Sequence, residues 1–184
     1  MRALLTGIGG FIGAHTAQWI LQHTDWDLVG IDSWKPHHKS SPSRVNAALD
    51  HVTPEQAGRL RLVRWDLSHH FTQPLINELF QDGTIDYCIN MASDSHVARS
   101  IEEPGVCWLN NCHLVYNMLE LARVGQFKIF IQVSTDEVYG DLPLEGGLFT
   151  EDDFANHTTE IYEPPISTTY RGHTVYQVRP PSQG

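Results

Sequence analysis

Thr6-Gly7-Ile8-Gly9-Gly10-Phe11-Ile12-Gly13 decides the fold. The apolar run Arg2 to Thr6 stops at a glycine and reads as a buried strand. Phe11 to His23 then carries apolar residues at helical spacing: Phe11, Ile12, Ala14, Ala17, Trp19, Ile20 and Leu21. Glycines at 7, 10 and 13 lie between the two as G-x-x-G-x-x-G. Gly7 permits the tight turn out of the strand, Gly10 lets backbone approach a pyrophosphate, and Gly13 lets the helix pack close to the sheet. The helix N-terminus offers the anion free N–H groups and a positive dipole end. A strand before and a helix after are the context that makes such a loop a dinucleotide site.

Outward from the loop, strand and helix signals alternate. Strands are expected at 27–32, 60–65, 85–91 and 127–134, the last strongly apolar. Helices are expected over 44–58, interrupted near Pro54, from Pro74 to Phe80, and over 104–124, the longest. Residues 33–42 read as a loop. This alternation predicts an α/β fold with a doubly wound parallel sheet covered on both faces. After about Thr150 the pattern weakens, and 154–184 reads as a divergent, poorly structured tail with prolines at 164, 165, 180 and 181.

Asp32 ends the second strand, 19 residues after Gly13. A carboxylate there accepts hydrogen bonds from adenosine ribose hydroxyls and repels a 2′-phosphate, which favours NAD over NADP. Lys35 nearby moderates that preference, and a turn or cap role is the competing reading of Asp32. Asp66, after the third strand, is read as an adenine contact or equally as a turn carboxylate.

The bulk numbers exclude several classes. The 184 residues are 41% apolar and carry a formal charge of -10, with 22 acidic against 12 basic residues. Such a balance repels phosphate backbones, so no nucleic-acid partner is expected. No apolar run approaches the ~20 residues that span a bilayer, and Met1 to Gly7 reads as structure rather than a signal peptide. Three cysteines, Cys88, Cys107 and Cys112, suggest a reducing, cytoplasmic setting, with Cys107 and Cys112 read as buried on the long helix. His37-His38 and His69-His70 have no metal-site spacing, and no metal is expected.

Ser93-Asp94-Ser95-His96-Val97-Ala98-Arg99-Ser100-Ile101 resembles the A-E-S-H-V-D-R-S-I stretch of dTDP-glucose 4,6-dehydratases, with Asp94 in place of Glu and Ala98 in place of Asp. Val133-Ser134-Thr135-Asp136-Glu137-Val138-Tyr139-Gly140-Asp141-Leu142 resembles that family's signature after the fifth strand, and Phe149-Thr150-Glu151 its F-T-E. The resemblance covers about residues 1–153 and implies an NAD-binding Rossmann domain of the extended short-chain dehydrogenase/reductase type. It implies Gly7, Gly10, Phe11, Ile12, Gly13, Asp32, Asp66, Leu67 and Ala92 at the cofactor. It further implies Asp136 as acid, Glu137 as base and Thr135 as the group positioning the C4 hydroxyl of a nucleotide sugar. Ser95, His96 and Arg99 fall in its substrate loop. Arg99 is read as a bidentate diphosphate ligand or a surface ion pair, and His96 as structural rather than catalytic.

The pattern breaks at the family's Tyr-x-x-x-Lys. Tyr162 is followed four residues on by Ile166, Tyr170 by Thr174 and Tyr176 by Pro180, and no lysine follows Lys128. A substrate-binding C-terminal domain is also missing, so the expectation is a truncated or frameshifted sheet, truncated after about the fifth or sixth strand, poorly soluble through its open edge and of uncertain activity. Codons for Gly172 to Gln177, read one base earlier, permit Pro-Tyr-Ser-x-Ser but do not readily give the lysine. The alternatives are a related NAD-dependent epimerase or decarboxylase, and a non-catalytic NAD-binding fragment. Full-length relatives usually dimerise through helices flanking the fourth and fifth strands, a role open to the 104–124 helix, whose apolar face is equally explained by packing on the sheet.

Overall fold

The computed structural model describes residues 1–35 and 40–134 in full, and the backbone of 166–170 and 173–177. Its elements in chain order are β1 (Arg2–Thr6), α1 (Phe11–His23), β2 (Asp27–Asp32), α2 (Pro42–Leu49), α3 (Pro54–Ala57), β3 (Leu60–Arg64), α4 (Gln73–Leu79), β4 (Ile85–Asn90), α5 (Val97–Glu102), α6 (Pro104–Arg123), β5 (Phe127–Gln132), β6 (Ile166–Tyr170) and β7 (His173–Gln177). The chain divides into two units at Val133 and Ser134.

In the first unit, β1 to β5 form a parallel sheet in the order β3-β2-β1-β4-β5. The chain winds outward from β1 through β2 to β3, then crosses back and winds the other way through β4 to β5. Ligands of open α/β sheets bind at that reversal, outside the carboxyl ends of the strands. Side-chain alternation gives the sheet two cores. On one face Leu4, Val29, Ile31 and Cys88 pack with Leu75 and Leu79 of α4 and Leu114, Met118 and Leu121 of α6. On the other, Ala3, Leu5 and Leu28 pack with Ala17, Ile20 and Leu21 of α1 and Val45 of α2. Arg59 closes the end of α1, donating from its guanidinium to the carbonyls of Thr24 (2.9 Å), Trp26 (2.8 Å) and Leu21.

The helical stretch expected over 44–58 is interrupted ahead of Pro54, as expected, and makes two helices: Ser41 caps α2 with Pro42 in its first turn, and Thr53 and Gln56 form a capping box on α3. Two details differ from the sequence reading. The apolar stretch of β5 is an edge strand among the described residues, so Phe127 is buried while Ile129 and Ile131 are 46% and 41% exposed. Cys107 is buried on α6, but Cys112 faces outward. In the second unit, β6 and β7 pair antiparallel within the segment expected to be poorly structured. Their threonine, valine and tyrosine content suits extended backbone.

Candidate functional site

The glycine loop is built by close approach. Gly7 adopts φ +70°, and a Cβ there would come within 2.9 Å of the Ala92 Cα. A Cβ on Gly13 would lie 2.2 Å from the Gly7 carbonyl oxygen. The turn closes with the Gly10 N–H donating to the Gly7 carbonyl at 2.9 Å. Gly10 caps α1 without a side-chain acceptor and the first turn holds no acidic residue, so the free N–H groups and positive end of this 13-residue helix are left for an anion.

Asp32 is buried and shows the turn role that was the competing reading of it, together with a bond to the glycine loop. One carboxylate oxygen accepts from the Gly9 N–H and the other from the Trp34 N–H, both at 2.9 Å. Trp34 takes φ +54°, and its ring lies where a Cβ on Gly9 would be. Asp32 therefore holds the glycine loop against the end of β2. An ionised carboxylate has about four acceptor sites, so capacity remains for ribose hydroxyls.

Asp66 stands at the end of β3. It accepts from the Ser68 N–H (3.1 Å) and hydroxyl (2.8 Å) and pairs with Lys35. Burial pushes its carboxyl upward, but the hydrogen bonds from Lys35 and Ser68 and the lysine charge outweigh this and hold it below the ordinary carboxylate value. Lys35 is thereby tied across to the β3 loop. The Leu67 carbonyl accepts from the buried Asn117 of α6 at 2.8 Å, which fixes that loop from behind.

At the β4 end, the Thr6 hydroxyl accepts from the Met91 and Ala92 N–H groups (3.0 Å each) and donates to Asn90 Oδ1 (2.6 Å). Asn90 Nδ2 donates in turn to Gln132 Oε1 at 2.7 Å. Thr6 and Asn90 are fully buried, so this chain of bonds locks the carboxyl ends of β1, β4 and β5 together.

Gly7, Gly10, Phe11, Ile12, Gly13, Asp32, Asp66, Leu67 and Ala92, all nine residues expected at a cofactor, line one cavity of about 480 Å³. Ser95 and His96 line its β4 end, where His96 also caps α5, its Nδ1 accepting from the Arg99 N–H at 3.3 Å. Arg99 is not among the lining residues; it pairs with Asp94 at 2.8 Å and Glu103 at 3.1 Å. Thr135, Asp136 and Glu137 lie outside the described residues, though Val133, two positions earlier in the chain, lines the cavity. Arg44, Trp65 and Asn110 also line it and were not anticipated. Arg44 opens the stretch expected to be helical, for which no site role was read, and its guanidinium donates to the Gly9 carbonyl at 3.3 Å. Among the described residues no three His, Cys, Asp or Glu side chains gather as a metal site, and no helix is long and apolar enough to cross a membrane.

This arrangement suits an elongated anionic ligand: ribose acceptors at β2, free N–H groups at α1, and hydroxyl and imidazole groups beyond β4. Comparison with known proteins points the same way. The family model described as GDP-mannose 4,6 dehydratase matches residues 4–162. The low-salt glycan biosynthesis protein Agl12 of Haloferax volcanii is 34% identical over 155 residues, covering 83% of this chain and 44% of that protein. The dTDP-glucose 4,6-dehydratase of Salmonella typhimurium is 31% identical over 152 residues, 78% of this chain and 39% of that one. Among solved structures, a double mutant of the dTDP-glucose 4,6-dehydratase DesIV of Streptomyces venezuelae, with NAD and DAU bound, superposes with a TM-score of 0.65 at 29% identity, over 83% of this chain and 44% of that one. The UDP-glucuronic acid 4-epimerase of Bacillus cereus, in complex with UDP-glucuronic acid and NAD, gives a TM-score of 0.61 at 27% identity, over 83% and 45%. The chain thus spans less than half the length of these relatives.

Proposed function

We propose that this chain, which belongs to the GDP-mannose 4,6-dehydratase family, binds NAD in the crevice around Gly7–Gly13 and forms the cofactor-binding part of a nucleotide-sugar 4,6-dehydratase acting on a dTDP-glucose-like substrate. The observation that carries the cofactor reading is the single cavity that joins the glycine loop, the α1 N-terminus and Asp32. The cradle fits the group: Gly13 and Gly7 leave no room for a side chain, and the α1 N-terminus has no internal anion. Asp32 would accept from the adenosine ribose, α1 would hold the pyrophosphate, and Asp66 would meet the adenine edge.

NAD bound there supplies a hydride acceptor for the sugar C4 and a donor to C6. The side chains do the proton work. Thr135 orients the C4 hydroxyl, Glu137 removes the C5 proton, and Asp136 protonates the C6 hydroxyl as it leaves as water. Neighbouring carboxylates push their pKa values apart, which suits one acid beside one base. That acid–base pair favours a dehydratase. A related epimerase is the second reading, favoured by the superposition on the 4-epimerase. The chain has no Tyr-x-x-x-Lys to take the C4 hydroxyl proton, so these 184 residues alone are expected to bind cofactor without turning over sugar. Exposed Trp108, Leu109 and Tyr116 on α6 fit a second copy of the chain.

The test is calorimetric titration of NAD and NADP into the chain, followed by assay with dTDP-glucose and UDP-glucose. Saturable NAD binding with a preference over NADP supports the cofactor reading. Epimerised product without dehydration overturns the dehydratase.

A further inference from the structure

We propose that Asp94, Arg99 and Asn111 are positioning residues that latch the 91–96 wall of the cavity to α6, and that Arg99 acts through this latch rather than by holding a diphosphate. Asn111 brackets the Asp94 backbone from both sides. Its Oδ1 accepts from the Asp94 N–H at 2.8 Å, and its Nδ2 donates to the Asp94 carbonyl at 3.1 Å. The Asp94 side chain is 3% exposed. Its Oδ2 accepts from Arg99 Nη1 at 2.8 Å and from the buried Cys107 thiol at 3.6 Å. Arg99 is held a second time, its Nε donating to Glu103 Oε2 at 3.1 Å.

A buried carboxylate is stable only with its charge matched and its lone pairs occupied; Arg99 matches the charge and, with the Cys107 thiol, donates to Oδ2. A guanidinium committed to two carboxylates is poorly placed to leave them for a phosphate. Meanwhile the wall that Asp94 anchors presents Ser93, Ser95 and His96 to the cavity. With Asp32 at the adenosine end and α1 at the pyrophosphate, that wall faces the second half of a dinucleotide. The proposal rests on the dinucleotide reading of the cavity for this last step only.

The experiment separates the two. Hydrogen exchange on the unliganded chain reads the latch alone: in Asn111→Ala, which removes both bonds to the Asp94 backbone, the amides of residues 93–96 exchange at least ~10-fold faster. Unchanged exchange overturns the latch whatever binds. Calorimetry then compares NAD with ADP, which reaches only the adenosine and diphosphate positions. Asn111→Ala, Asp94→Ala and Arg99→Ala are each expected to weaken NAD by ~10-fold and ADP by less than about twofold. The Asp94→Ala/Arg99→Ala double variant should be no worse than either single one, and Arg99→Lys should recover most of the loss. Equal losses for NAD and ADP, or additive losses in the double variant, overturn the positioning role. A wild-type chain that binds neither ligand overturns the dinucleotide reading and the positioning role together, while the exchange result still decides the latch.

Discussion

Gly13 has no room for a methyl group: its Cβ would be 2.2 Å from the Gly7 carbonyl. Gly13→Ala should therefore destabilise the chain by about 1–3 kcal/mol in urea denaturation and weaken NAD by more than ~10-fold in calorimetry. Asp66 carries a pH signature. Its folded value is held below the ordinary 3.8, so the stability it contributes is fully present above about pH 4 and is lost as pH falls through the lowered value. Asp66→Asn should melt at a lower temperature than wild type at pH 7, with the gap closing below pH 4 in thermal scans; a constant gap would refute it. At this scale the sequence was informative about identity and poor about partnership. The three glycines were legible because a tight turn and close backbone packing admit one residue type at one spacing, and Asp32 was read as a ribose acceptor or a turn residue, of which the structure shows the turn. That Asp32 also holds Gly9 and Trp34, or that Lys35 closes on Asp66, depends on loops whose meeting no local pattern encodes.

The strands meet through buried polar side chains as well as through their ladders. Asn90 links the hydroxyl of Thr6 in β1 to the amide of Gln132 in β5. Asn90→Ala leaves the buried Thr6 hydroxyl without its acceptor, while the exposed Gln132 amide can turn to water, and should cost about 1–3 kcal/mol in urea denaturation. A loss under about 0.5 kcal/mol would show that water replaces the side chain there. The five strands of the first unit were legible from their apolar runs, and α1 and α6 from their period. The six-residue α5 was not: it buries no residue, so it leaves no apolar stripe to read, and only its His96 cap marks it. Exposure along β5 was also illegible, because an apolar run reports burial potential and not which neighbours the strand receives.

At the scale of the whole chain, the proposed cofactor site and the proposed proton chemistry separate. The nine residues expected at a cofactor line one cavity, whereas these 184 residues hold no Tyr-x-x-x-Lys. Purified chain incubated with NAD and dTDP-glucose should give no absorbance from NADH and no 4-keto sugar; either product would overturn that expectation. The proposed pairing of two copies through the outer face of α6 is tested by Trp108→Glu, at a position 65% exposed: the proposal expects dimer for the wild-type chain and monomer for the variant in light scattering, with no fall in melting temperature, and a monomeric wild-type chain contradicts it. The most direct test of the account is calorimetry of NAD binding to the folded chain. Saturable one-to-one binding that is lost in Gly13→Ala and weakened in Asp32→Ala is the predicted result; a chain that melts cooperatively yet takes up no NAD at millimolar concentration would contradict it.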